Sequence, residues 1–276
     1  MNYRHIILWA GNSGFGSGFG DEFDSKFTYN TWFISNYLSL RVRKLHIPTD
    51  GPYNMLFCNI TKEENLVKEK AVSSLSVNIH VEDEEIEKYL SMSNEVERFE
   101  YYLSLLERGY KEASTVRNIP INIFLKLHQD FRASGYKNER LFAKKTLRNM
   151  GLKIELYHVL TSYCYNLVLF VYNLHGDLLC KNSIYKTFPD DIHFNKNVRH
   201  LVVDEDKFVI TDFLDKPQFV CSLSDLSRGI IKSECVDENT KKYIYNEQNA
   251  EKFEQLKWKQ KIGEGSEKVT EGQVLK

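Results

Sequence analysis

The stretch 153–223 constrains the fold more than any other because its side chains alternate. Ile154, Leu156, His158 and Leu160 fall on one side, and Glu155, Tyr157, Val159 and Thr161 on the other. A period of two is what an extended strand needs to send neighbouring side chains to opposite faces. Residues 167–172 are continuously apolar, as in a central strand covered on both faces. His175-Gly176-Asp177 marks a turn, and further strands are predicted over 177–186, 198–203, 208–213 and 218–223. Links as short as 204–207 join antiparallel neighbours. The sequence therefore predicts an α+β fold whose C-terminal half is an antiparallel β meander.

Upstream, the pattern predicts a β-rich N-terminal region over 1–82, a helical segment over 83–151 that covers the meander, and a sheet over 152–235, all in one domain. His5 to Trp9 is a first strand, the segments flanking 48–54 suit a hairpin, and 75–81 alternates as another strand. Phe27, Tyr29, Thr31 and Phe33 also alternate, which favours a strand there, while the rest of 27–46 fits helix or strand. Asp83-Glu84-Glu85 suits the positive end of a helix dipole. Asn94 with Glu97 offers a cap for a second helix striped by Phe99, Leu103, Leu106 and Tyr110. Pro120 suits the start of a further helix that Gly135 ends, and a last one takes Leu141 or Ala143, Leu147 and Met150 inward up to Gly151. A weak helix is expected within 236–260 and a mobile tail over 261–276.

A formal net charge of −1 argues against a surface wholly devoted to nucleic acid or anionic lipid, although a local patch remains compatible. Nucleic acid is accordingly not an expected partner. No window reaches the roughly 20 apolar residues of a membrane span and no secretory signal is evident, so a cytoplasmic location is expected. Five cysteines without a CxxC pair fit free thiols in a reducing compartment.

The strongest hint of chemistry is the segment 11–20, with five glycines in ten residues. Following a strand, Gly14, Gly16, Gly18 and Gly20 present the backbone amides that a phosphate cradle needs. The GxGxGxG spacing differs from the dinucleotide pattern, no GK[ST] ending follows, and Asp21-Glu22-Phe23-Asp24 would repel a phosphate. A partner-contact loop carrying Phe15 and Phe19 is the competing reading. Asp190, Asn195 and Asp212 resemble the protein-kinase catalytic loop and the Asp-Phe that follows it, with Leu214 where that family has glycine. The resemblance implies a metal near Asp190, Asn195 and Asp212, but neither an HRD triplet nor a Val-Ala-Ile-Lys strand accompanies it. His175, His193 and His200 lack the tight spacing of metal ligands.

Asp83, Glu84, Glu85 and Glu87 form an acidic face suited to a basic partner. Lys137, Arg140, Lys144, Lys145 and Arg148 are expected as a basic helix face. With no firm catalytic or metal signature, the sequence favours a non-catalytic binding protein that needs no cofactor and contacts its partner through Phe15, Phe19 and the acidic face. In general type it resembles the cytoplasmic immunity proteins of bacterial toxin competition, single α+β domains that block a toxin's active site. The alternative is a kinase-like enzyme handling nucleotide or phosphate, with Gly14, Gly16, Gly18 and Asp212 at its site.

Overall fold

The computed structural model describes residues 1–11, 16–64, 66–70, 73–189, 198–242 and 244. The fold is α+β, and the chain divides into two compact units, 1–138 and 139–276.

The first unit is a four-stranded sheet with helices. Its strands are β1 (His5–Ala10), β2 (Met55–Thr61), β3 (Leu66–Lys70) and β4 (Ser74–His80), in the order β1-β2-β4-β3. β1, β2 and β4 run parallel and β3 antiparallel to β4. Between β1 and β2 lies α1 (Asp21–Leu45), a helix of 25 residues. This corrects the strand expected from Phe27 to Phe33, and with it the strand and hairpin expected around 44–54.

The reason lies at the edge of the sheet. β1 is an edge strand, and the amides of Ile6, Leu8 and Ala10 point away from β2 towards α1. Ser39 and Ser35 hydroxyls accept from the Ile6 and Leu8 amides at 3.1 and 3.0 Å, and Thr28 accepts from Ala10 at 3.4 Å. In return Thr31 donates to the Leu8 carbonyl at 3.0 Å and Ser39 to the Ile6 carbonyl at 3.2 Å. Thr28, Thr31, Ser35 and Ser39 recur at three and four residues, so one helix face carries a row of hydroxyls that completes the hydrogen bonding of a buried strand edge.

The helices α2 (Asp83–Ser91), α3 (Glu95–Ser114) and α4 (Ile121–Ala133) also belong to this unit. Asn94 caps α3 by accepting from the Val96 amide at 2.8 Å, and Gly135 takes a φ of +67° just beyond α4. α3 packs on β4 and β2. Gly109 makes that approach possible: a Cβ there would lie 2.5 Å from the Cys58 sulfur and 3.2 Å from Ile79 Cδ1. Gly109→Ala is expected to destabilise the unit by about 1–3 kcal/mol despite gaining up to ~1 kcal/mol of helix propensity. Urea denaturation would check this, and combining it with Cys58→Ala should recover much of the loss if the sulfur contact is the cause.

Several polar groups buried in this unit are paired. Tyr110, fully buried, shares a 3.1 Å hydrogen bond with His128, whose other ring nitrogen lies 3.3 Å from Glu107. Arg132 and the Tyr136 hydroxyl both donate to Glu100.

The second unit holds two antiparallel four-stranded sheets. One is β5 (Asn138–Leu147), β6 (Leu152–Leu160), β7 (Tyr165–Asn173) and β8 (Leu178–Thr187), in sequence order. The other is β9 (His200–Asp204), β10 (Lys207–Thr211), β11 (Pro217–Ser222) and β12 (Ser233–Cys235), also with sequential neighbours. The meander is thus present as two meanders. Short helices α5 (Leu223–Ser227) and α6 (Glu238–Lys241) follow β11 and β12. The helix expected up to Gly151 is instead β5 with a 3₁₀ turn at Arg148–Met150, and the basic side chains assigned to its face stand on or beside a strand. The C-terminal helix and tail expected beyond 244 lie outside the described residues.

All five cysteines are free; Cys58 and Cys221 are buried, and Cys164, Cys180 and Cys235 are half-buried. Among the described residues no helix is long and apolar enough to cross a membrane.

Candidate functional site

The carboxyl ends of the parallel strands gather the residues singled out in the N-terminal half. The glycine segment leaves β1 here and runs into α1, so a strand–glycine turn–helix arrangement does exist, although its spacing is not that of a nucleotide fingerprint. Gly14 and Phe15 lie outside the described residues. From Gly16 onward the turn is tied down. The Ser17 carbonyl accepts from the Lys62 amide at 2.9 Å and from the Thr61 hydroxyl at 3.3 Å. The Ser17 amide donates to Asp24 Oδ2 at 2.9 Å, and its hydroxyl donates to Asp24 Oδ1. Gly18, at a φ of +90°, lies against the Lys62 side chain, which a Cβ would meet at 3.2 Å.

These bonds decide what the turn can hold. A phosphate cradle needs unclaimed amides at a helix start. Here a carboxylate of the helix already takes the Ser17 amide, and the first turn of α1 carries Asp21, Glu22 and Asp24. The cation nearby, Lys62, is paired with Asp83 at 2.6 Å.

Lys62 also joins two of the predicted contact regions. Its ammonium lies 5.3 Å from the centre of the Phe19 ring while it pairs with Asp83, the first residue of α2. Phe19 and the acidic face of α2 are therefore neighbours. Glu85 turns inward to Arg108 at 2.8 Å, and Arg108 also donates to the His80 carbonyl. Asp83, Glu84 and Glu87 are exposed. A 2.8 Å hydrogen bond to Glu82 raises the pKa of His80 above the usual imidazole value. Exposed pairs of this kind shape the surface more than they hold the fold.

Beside these charges an aromatic chain reaches from the core to the surface. Phe19, Phe23 and Phe27 follow one another at 5.4 and 5.6 Å, and Phe27 meets Tyr89 and Tyr102, each at 5.6 Å. A cleft of about 80 Å³ opens there, lined by Phe23, Lys26, Phe27, Asn30, Tyr89, Leu90 and Arg98. Leu90 at its mouth is 58% exposed. The sequence reading missed Lys62, Phe23, Tyr89 and Arg108. Phe19, Phe23 and Phe27 are spaced by four, a helical signal hidden by reading Phe27 onward as a strand.

The other described candidates belong to the second unit. Asp212 closes the turn after β10: its Oδ1 accepts from the Leu214 and Lys216 amides at 2.8 and 2.9 Å. Asp190, His193 and Asn195 lie outside the described residues. His175 sits in the exposed β7–β8 turn, and His200 lies 3.9 Å from Asp215. Among the described residues no group of three or more His, Cys, Asp or Glu side chains could hold a metal ion.

No protein-family model, no curated protein and no solved structure matches this chain.

Proposed function

We propose that the first unit is a protein-binding module that captures a basic partner at the carboxyl end of its sheet. The observation that carries this reading is the cleft beside Phe23 and Leu90, flanked by the exposed carboxylates of α2. An apolar side chain of the partner enters the cleft, and its surrounding cations meet Asp83, Glu84 and Glu87. Buried apolar anchors supply most of the affinity of such interfaces, while rim charges mainly accelerate encounter. Occlusion or sequestration of the partner, in the manner of an immunity protein, is the biological form this binding takes.

The turn-to-helix geometry at Gly16–Gly20 favours the second reading, a kinase-like enzyme acting on nucleotide or phosphate. The carboxylates on α1 and the Asp24–Ser17 bonds weigh against it.

Complexes recovered from the native host test both. Leu90→Asp is expected to lower affinity for the captured partner at least tenfold, whereas Glu84→Lys with Glu87→Lys slows association and weakens its salt dependence. Both changes are at exposed positions and should leave thermal unfolding within a few degrees of the parent. Unaltered binding by both variants would exclude this surface. A rise in melting temperature with Mg²⁺-ATP, lost in Gly18→Ala, would instead support the enzyme.

A further inference from the structure

The sheet β5–β8 has one face that the first site does not involve. On it, pairing sets Lys153 opposite Tyr172, Glu155 opposite Phe170, and Tyr157 opposite Val168, with Lys181 across from Phe170 on the other side. The Phe170 and Tyr172 rings are parallel to within 6° at 6.3 Å, and Tyr157 packs beside Phe170 at 4.9 Å. All three are half-buried, so part of each ring meets solvent. The Lys153 and Lys181 ammonium groups lie 5.4 and 4.7 Å from the Tyr172 and Phe170 centroids. The strands also concentrate positive charge. Between Asn138 and Thr187 seven Lys and Arg stand against three Asp and Glu, and of these Lys153, Lys181 and Lys186 share the face of Phe170 by register.

We propose that this face binds single-stranded nucleic acid, with Tyr157, Phe170 and Tyr172 as the stacking platform and Lys153 and Lys181 as phosphate contacts. Aromatic rings on an open sheet accept the faces of unstacked bases, and lysines beside them swing from the rings to the backbone. A duplex keeps its base faces covered, so it would use the lysines and gain nothing from the rings. Glu155, the carboxylate within the platform, is paired with Lys153 at 2.6 Å and accepts from the Tyr157 hydroxyl at 3.2 Å. It is 8% exposed and keeps the Tyr157 hydrogen bond when Lys153 turns to a phosphate, so it presents little charge to the strand.

Fluorescence anisotropy with a labelled single strand of about 12 nucleotides, read against the full chain over a salt series, tests the proposal. Binding is expected at low salt, with a duplex of the same sequence bound at least tenfold more weakly. Phe170→Leu and Tyr172→Leu should each weaken single-strand binding by about fivefold or more, the effect of losing one stacked base. Lys181→Ala, at an exposed position, should reduce the slope of log affinity against log salt by about 0.7 while thermal unfolding is unchanged. The proposal is overturned if the single strand does not bind, if the duplex binds equally well, or if the leucine variants bind like the parent.

Discussion

Replacing Ser35 and Ser39 together by alanine is expected to destabilise the first unit by roughly 2–6 kcal/mol, enough to unfold a domain of ordinary stability. Neither side chain is large, and a contact-area argument would rank both as minor. Their effect comes from what they serve. Ile6 and Leu8 are 0% exposed, and their amides reach no partner on β2 because they face the other way along the sheet edge. Without Ser39 and Ser35, two buried N–H groups lose their acceptors, and each such loss costs about 1–3 kcal/mol. Urea denaturation followed by far-UV circular dichroism measures the effect. Ser114→Ala is the control: that hydroxyl is exposed and bonds within its own helix, so its loss should stay within about 0.5 kcal/mol. Equal midpoints for the parent and the double variant would show that the strand edge does not depend on α1.

Acid is expected to destabilise the second unit through His158. This side chain is 3% exposed, stacked on Phe142 at 4.6 Å, with the Tyr165 ring set edge-to-face at 5.4 Å between centres. Arg140 donates to its Nδ1 at 3.1 Å, so the hydrogen of the neutral ring sits on Nε2, which has no partner among the described residues. Burial, reinforced by the guanidinium charge, pushes the pKa from 6.5 down to about 3. The direction of the linkage follows. The unfolded chain takes up this proton near pH 6.5 and the folded chain only near pH 3, so stability is intact above about 6.5 and is lost progressively between those values. The gap corresponds to a loss on the order of 4 kcal/mol by pH 3. His158→Phe removes the titrating group and should flatten the acid limb of the stability curve while changing stability at pH 7 by about 1.5 kcal/mol or less. A His158 imidazole seen by NMR to titrate near pH 6.5 in the folded protein would refute this account.

Parts of the fold were legible because their determinants lie close together in the chain. The alternation from Ile154 to Leu160 and the turn at His175-Gly176-Asp177 correctly specify β6, β7 and their hairpin partner β8. Asn94 marks the start of α3, and Gly135 the end of α4, because a cap and a left-handed turn are local chemistry. Other parts were misread for equally physical reasons. Phe27, Tyr29, Thr31 and Phe33 alternate in the order suited to a strand, but the hydroxyls interleaved with them form a helical row whose purpose is invisible until β1 lies beside it. Ala143, Leu147 and Met150 have helical spacing, yet a few apolar side chains at such intervals do not discriminate between periods when the partner is a neighbouring strand. The candidate site divides in the same way. Phe19 and the carboxylates of α2 were visible as individual residues, while Lys62, which joins them, was an ordinary surface lysine in the sequence.

By itself, then, the sequence determined the antiparallel C-terminal strands, the capped helices and the α+β class, since links of a few residues leave the chain little choice of partner. Only the tertiary structure decided that β1, β2 and β4 run parallel, that α2 to α4 belong with them, and that a row of hydroxyls closes the sheet edge. Parallel strands must find each other across long crossovers, and a buried amide donates to whichever oxygen the folded chain brings within hydrogen-bonding distance, wherever that oxygen lies in the sequence.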